Sequence, residues 1–163
     1  MRLLGAARSS RLERRLIRED PQCARVFVEN GWPGERHSNL AFILAEPLEG
    51  VDLARVEASI LEEVQILKEN GPDSSELEGV LRVARIEHLR SLRHSHMIAK
   101  GLMSAQASLG SWRAHFHRIA RLEGVTSADV QRVLRERFVQ TNSSVVLLRA
   151  RDEPASEVEE EER

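Results

Sequence analysis

The sequence predicts an α+β fold, a mostly antiparallel sheet covered on one face by four to five helices. Three observations predict it. Two short apolar runs, RVFVEN at 25–30 and NLAFILA at 39–45, are bounded by the turn-forming stretches GWPGERHS and EPLEG, as strands of an antiparallel pair are. From residue 53 to residue 138 the apolar positions recur at helical spacing instead. After Thr141 and Asn142 a third run, SVVLLR at 144–149, returns to strand character. Three visible strands make a thin sheet for so many helices, so one or more strands are expected to be missing.

With 163 residues, 41% of them hydrophobic, the chain can bury roughly two-thirds of its unfolded surface as one domain, without help from disulfides or metal. Its single cysteine, Cys23, excludes an internal disulfide and reads as a small buried side chain; it leaves the compartment open between cytoplasm and periplasm. No apolar run approaches the ~20 residues of a membrane span. The arginine-rich start also lacks the apolar core of a secretory signal. The reading is therefore a soluble chain of unknown localisation, with no membrane partner. A net charge of −2 conceals an uneven distribution: the first 25 residues carry seven arginines against three acids, whereas DEPASEVEEEER at 152–163 is mostly acidic and too poor in apolar residues to pack.

Taken in order, residues 9–19 predict a helix with Leu12, Leu16 and Ile17 on one face and arginines around the rest, capped by Ser9–Ser10 and stopped by Pro21. The two strands follow. Leu53, Val56, Ile60, Leu61, Val64 and Leu67 then mark one face of a helix that ends at Gly71–Pro72. Asp73, with Glu76 three residues on, caps the next helix, whose stripe is Leu77, Val80, Leu81, Ala84, His88 and Leu92. Gly101 and Gly110 predict a break near 94–101, and Trp112 to Leu122 reads as one further helix. Thr126 and Asp129 repeat the capping pattern ahead of a helix through Val130, Val133, Leu134 and Phe138.

Three stretches in the right order resemble the pitrilysin or insulinase family of zinc metallopeptidases, which includes the mitochondrial processing peptidase. LGAARSSRLERRLIRED is similar to that family's "LGGGRSSRL...LREK" segment ahead of a strand. ILEEVQILKENGPDSSELEGV resembles its paired helices, and IARLEGVTSADVQRVLRERFVQTNSSVVLLR its closing helix and strand. The resemblance implies a metallopeptidase half-domain over residues 1–150, of the C-terminal type that does not bind zinc, followed by the acidic tail at 151–163. In the family, a strand and most of a helix precede the first of these stretches, so the chain is expected to begin inside the domain.

The family cleaves peptides with zinc held by an H-x-x-E-H helix and a distant glutamate. Neither H-x-x-E-H nor H-E-x-x-H occurs here; the nearest run, Ala84 to His88, has alanine at the first ligand position. The resemblance thus implies no catalytic residue, no metal ligand and no cofactor in this chain, with zinc in a partner domain or subunit. C-terminal-type domains supply an arginine and a tyrosine that hold substrate. The arginine falls at Arg18 and the tyrosine position at Arg25, while the chain has no tyrosine at all. A structural ion pair between Arg18 and Glu19 or another acid stays open beside that role.

The implied function is a non-catalytic domain or subunit forming part of a peptide-binding chamber. Its implied partners are a zinc-binding peptidase domain or subunit, a peptide substrate and, through an exposed sheet edge, a second copy. The alternative is an interaction module that binds an anionic partner through Arg8, Arg11, Arg14, Arg15 and Arg18. Aromatic residues are only 4% of the chain, which disfavours nucleic acid because stacking platforms are scarce. His94 with His96 and His115 with His117 are i, i+2 pairs that diverge on a helix, and read as surface or cap histidines.

Overall fold

Leu12 and Leu16 are completely buried and Leu4 and Leu67 nearly so, and the other elements are arranged around them. The computed structural model describes residues 1–5, 10–32, 34 and 36–148. Helix α1 (Arg2–Gly5) precedes α2 (Arg11–Glu13), which runs on as a π-helix (Arg14–Glu19). Strands β1 (Cys23–Trp32) and β2 (Leu40–Pro47) come next, then α3 (Leu53–Asn70), α4 (Ser74–Ser91) and α5 (Ser95–Leu109). A 3₁₀ segment (Trp112–His115), α6 (Arg118–Glu123), α7 (Ser127–Arg137) and a 3₁₀ turn (Gln140–Asn142) complete the described chain. This is the α+β fold expected from the sequence.

The two strands pair antiparallel with Phe27 opposite Leu44 and Val28 opposite Ile43. Near the hairpin end the register shifts between Asn30 and Trp32, where Gly31 has φ 97°. That left-handed backbone is what a bulge requires and what glycine adopts without steric cost. The expected third strand is not formed over 144–148: among the described residues the sheet has two strands, and Arg149 lies outside them. An apolar run becomes a strand only where a neighbour accepts its ladder bonds, and Val146 and Leu148 instead remain 80% and 83% exposed.

Period-two alternation turns Val26 and Val28 toward α1, whose Leu3 and Leu4 join the core. The approach is close: a Cβ on Gly5 would stand 2.2 Å from Val28 Cγ2, so only glycine fits there. On the other side α3 contributes Val56, Val64 and Leu67, and α7 adds Leu134 behind it. Leu61, expected on the same face, is exposed; it lies one residue off the 56, 60, 64, 67 stripe.

The helix ends follow the sequence closely. Asp73 Oδ1 accepts from Glu76 N at 2.7 Å, and Thr126 with Asp129 forms a complete capping box, each such cap being worth about 1 kcal/mol. Gly71 (φ 71°) and Gly110 (φ 72°) terminate α3 and α5. The break between α4 and α5 falls at residues 92–94, upstream of most of the expected 94–101 window, with His94 extended as the N-cap of α5. Gly101 sits inside α5 because the His115 ring occupies the space a side chain would need, 2.3 Å from an ideal Cβ.

Two further expectations change. Residues 112–122 form a 3₁₀ segment, a turn and α6 rather than one helix, and the 3₁₀ turn carries His115 onto Gly101. The arginine-rich first helix is α2 widened into a π-helix, closed by Asp20 N donating to Arg15 O at 3.1 Å. Ser10 stands at its N-cap position without a side-chain cap bond, its Oγ buried and unpaired; Ser9 lies outside the described residues.

Leu16→Ala is expected to lower unfolding free energy by about 2–5 kcal/mol in chemical denaturation. Leu61→Ala on the exposed flank should cost no more than about 0.5 kcal/mol.

Candidate functional site

Alternation along the hairpin sorts its side chains onto two faces. One face meets the core. The other carries Arg25, Phe27 and Glu29 of β1 beside Glu46, Leu44 and Phe42 of β2. Phe27 and Leu44 are directly opposed and about half exposed, and the Phe27 and Phe42 rings lie 6.0 Å apart between centroids. This is an apolar strip in solvent, bordered by one arginine and two glutamates, and neither outer edge pairs with a further strand among the described residues.

Arg25 is exposed at the end of that strip, its Nε 3.8 Å from Glu46 Oε2 across the ladder. Arg18, in the last turn of the π-helix, is exposed too. Glu19, one of its expected structural partners, is taken by Arg14 at 3.3 Å, and Arg18 enters no ion pair among the described residues. Arg18 lies before β1 in the chain and Arg25 within it.

A polar network fixes the turn between them. Gln22, 1% exposed, donates from Nε2 to Asp20 Oδ2 at 2.7 Å and to Ser59 Oγ at 3.0 Å, and Arg55 donates to both Asp20 oxygens. The Gln22 amide and then the Arg55 guanidinium hold the Asp20 carboxyl below its ordinary range. The π-helix is thereby tied to α3, and β1 leaves at a set angle.

The basic face of the first helix is largely neutralised within the molecule. Arg11 makes a bidentate pair with Glu76, both bonds 2.8 Å, with Glu63 3.9 Å away. Arg15 pairs with Glu62 at 3.5 Å, Arg14 is held by Glu19, and Arg8 lies outside the described residues. A stripe already matched by its own acids is a poor lure for an anionic partner, which weighs against the interaction-module reading. Cys23 is buried and burial pushes its thiol up, away from the nucleophilic thiolate.

The histidines behave differently from their sequence reading in one place. His94 and His96 face each other at 5.9 Å, but no group of three metal-ligating side chains occurs among the described residues. His115 is not a surface or cap residue: it is 8% exposed, its ring 5.2 Å from that of His88 and 5.4 Å from that of Phe116. The only signal in the sequence was Gly101, a helical glycine whose missing side chain leaves room for a ring. His88, at the end of the Ala84–His88 look-alike, serves this packing. Burial first, then His115 and Arg118, hold it below the ordinary imidazole value.

No protein-family model and no curated protein sequence matches the chain. Solved structures do. A protease from Helicobacter pylori superposes with TM-score 0.77 at 19% identity over 86% of this chain and 33% of its own, so the chain spans a third of that protein. A candidate zinc protease from Bordetella pertussis Tohama I gives 0.73 at 22% identity, covering 86% of this chain and 76% of that one. The inactive peptidase domain of a candidate zinc protease from Bordetella parapertussis gives 0.74 at 21% identity, covering 91% and 81%. The chain therefore has a zinc-protease-like fold.

Because the folded state holds His88 below its unfolded value, the unfolded chain binds the extra proton between the two. Stability should be full above about pH 6.5, and fall as the pH drops through the folded value. His88→Gln is expected to flatten that part of a melting-temperature profile against pH.

Proposed function

We propose that this chain is a non-catalytic, C-terminal-type domain or subunit of a pitrilysin-like zinc metallopeptidase, forming one wall of the chamber that holds an extended peptide. What carries the proposal is a pairing of two facts. The fold is shared with a domain described as an inactive peptidase, and the sequence contains neither H-x-x-E-H nor H-E-x-x-H. Zinc and the water it activates would be supplied by a partner domain or subunit.

On this reading the peptide adds to the open edge of the hairpin, its backbone continuing the ladder and alternate side chains lying on Phe27, Phe42 and Leu44. Arg18 holds a peptide carbonyl or carboxylate through its planar fork. Arg25 does so less strongly, because Glu46 competes for it. The same edge offers pairing to a second copy.

The purified chain, incubated with zinc and fluorogenic peptides, is expected to show no turnover; cleavage that a chelator abolishes would overturn the proposal. Binding of an extended peptide, followed by fluorescence anisotropy, should weaken roughly fivefold in Arg18→Ala and less in Arg25→Ala. Equal binding by the wild type and both variants removes the arginines from the site.

A further inference from the structure

The helices on the far side of the chain enclose a second concavity, an open cleft of about 370 Å³ between α5 and the segment from the 3₁₀ turn through α6. Its size is that of a small-molecule site. Its lining is uneven in charge. Lys100, Arg118 and Arg121 border it, no aspartate or glutamate lines it, and Met97 and Leu109 supply apolar wall. His115 lines it as well, its Nε2 enclosed and without a hydrogen-bond partner.

Among the described residues the cations lack counter-charges. The carboxylates nearest in sequence are engaged elsewhere, Glu87 with Arg2 and Glu123 with Arg85. Lys100 and Arg118 enter no ion pair among the described residues. Arg121 donates only to the Ala114 carbonyl, at 3.1 Å, which fixes its guanidinium at the wall. In a chain of net charge −2, three cations around one concavity with no acidic partner among the described residues run against the overall balance. They repel one another and focus a positive potential into the cleft. The His115 ring fills the gap left by Gly101 and packs the 3₁₀ turn against α5.

We propose that this cleft binds a small organic acid. Its oxyanion lies among Lys100, Arg118 and Arg121, and its short apolar stem lies against Met97 and Leu109. The site stands apart from the hairpin, and its occupancy does not depend on the peptidase reading.

The full chain, followed by NMR at the His115 ring and the Gly101 amide, is to be titrated with hexanoate, with hexanamide and with inorganic phosphate. Hexanoate should shift both signals saturably and hexanamide should not. The exposed double variant Lys100→Gln/Arg118→Gln, checked for an unchanged spectrum elsewhere, should bind hexanoate about tenfold more weakly. Absence of a saturable shift, an equal response to hexanamide, or unchanged affinity in the double variant would overturn the proposal. Phosphate binding as tightly as hexanoate would overturn it too, because the apolar wall would then contribute nothing.

Discussion

The structure rests on two leucines placed one turn apart in a segment too short to be helical by itself. Isolated helices of a few residues are not stable in water, so α1, α2 and the π-helix exist because Leu4, Leu12 and Leu16 are buried against β1 and α3. The dependence is mutual. Without these side chains the inward face of the hairpin would meet water, and α3 would lose the apolar cover of the first segment. The charged rim follows the same logic: Arg11 can reach Glu63 and Glu76 only because Leu12 beside it is anchored, and that bidentate pair in turn fastens the first segment to α4.

Around this centre the molecule divides its labour. The side built on β1 and β2 keeps an apolar outer strip with one arginine at its end, whereas the side built on α5 and α6 is assembled from small residues and a buried ring. Ala84, Ala105 and Gly101 allow close helix approach, and His115 fills what they leave. A large apolar core would have closed the second side; small residues leave it concave and bring three basic side chains to its border.

Legibility from sequence followed the range of the interaction concerned. The Asp73 and Thr126 caps, the Gly71 stop and the hairpin strands were readable because each is settled by neighbours within a few residues. The π-widening of residues 14–19 and the splitting of 112–122 were not, since each serves a contact made far along the chain, leucines to α3 and His115 to Gly101; the break between α4 and α5 was expected and only its position, 92–94, differed. Arg18 was placed by resemblance, and its freedom from Glu19 became visible only once Arg14 was seen to take that carboxylate. The third strand shows the same limit, because SVVLLR has every local property of a strand and still needs a neighbour to become one.

That last segment has a practical consequence. Val145, Val146, Leu147 and Leu148 form four consecutive hydrophobic residues in solvent, without ladder partners among the described residues, a run open to strand pairing with another chain. Arg149, next in sequence, is the nearest charged gatekeeper. Pairing of this run with its counterpart in a neighbouring molecule is the association that its exposure favours, and a lysine within it would oppose that pairing.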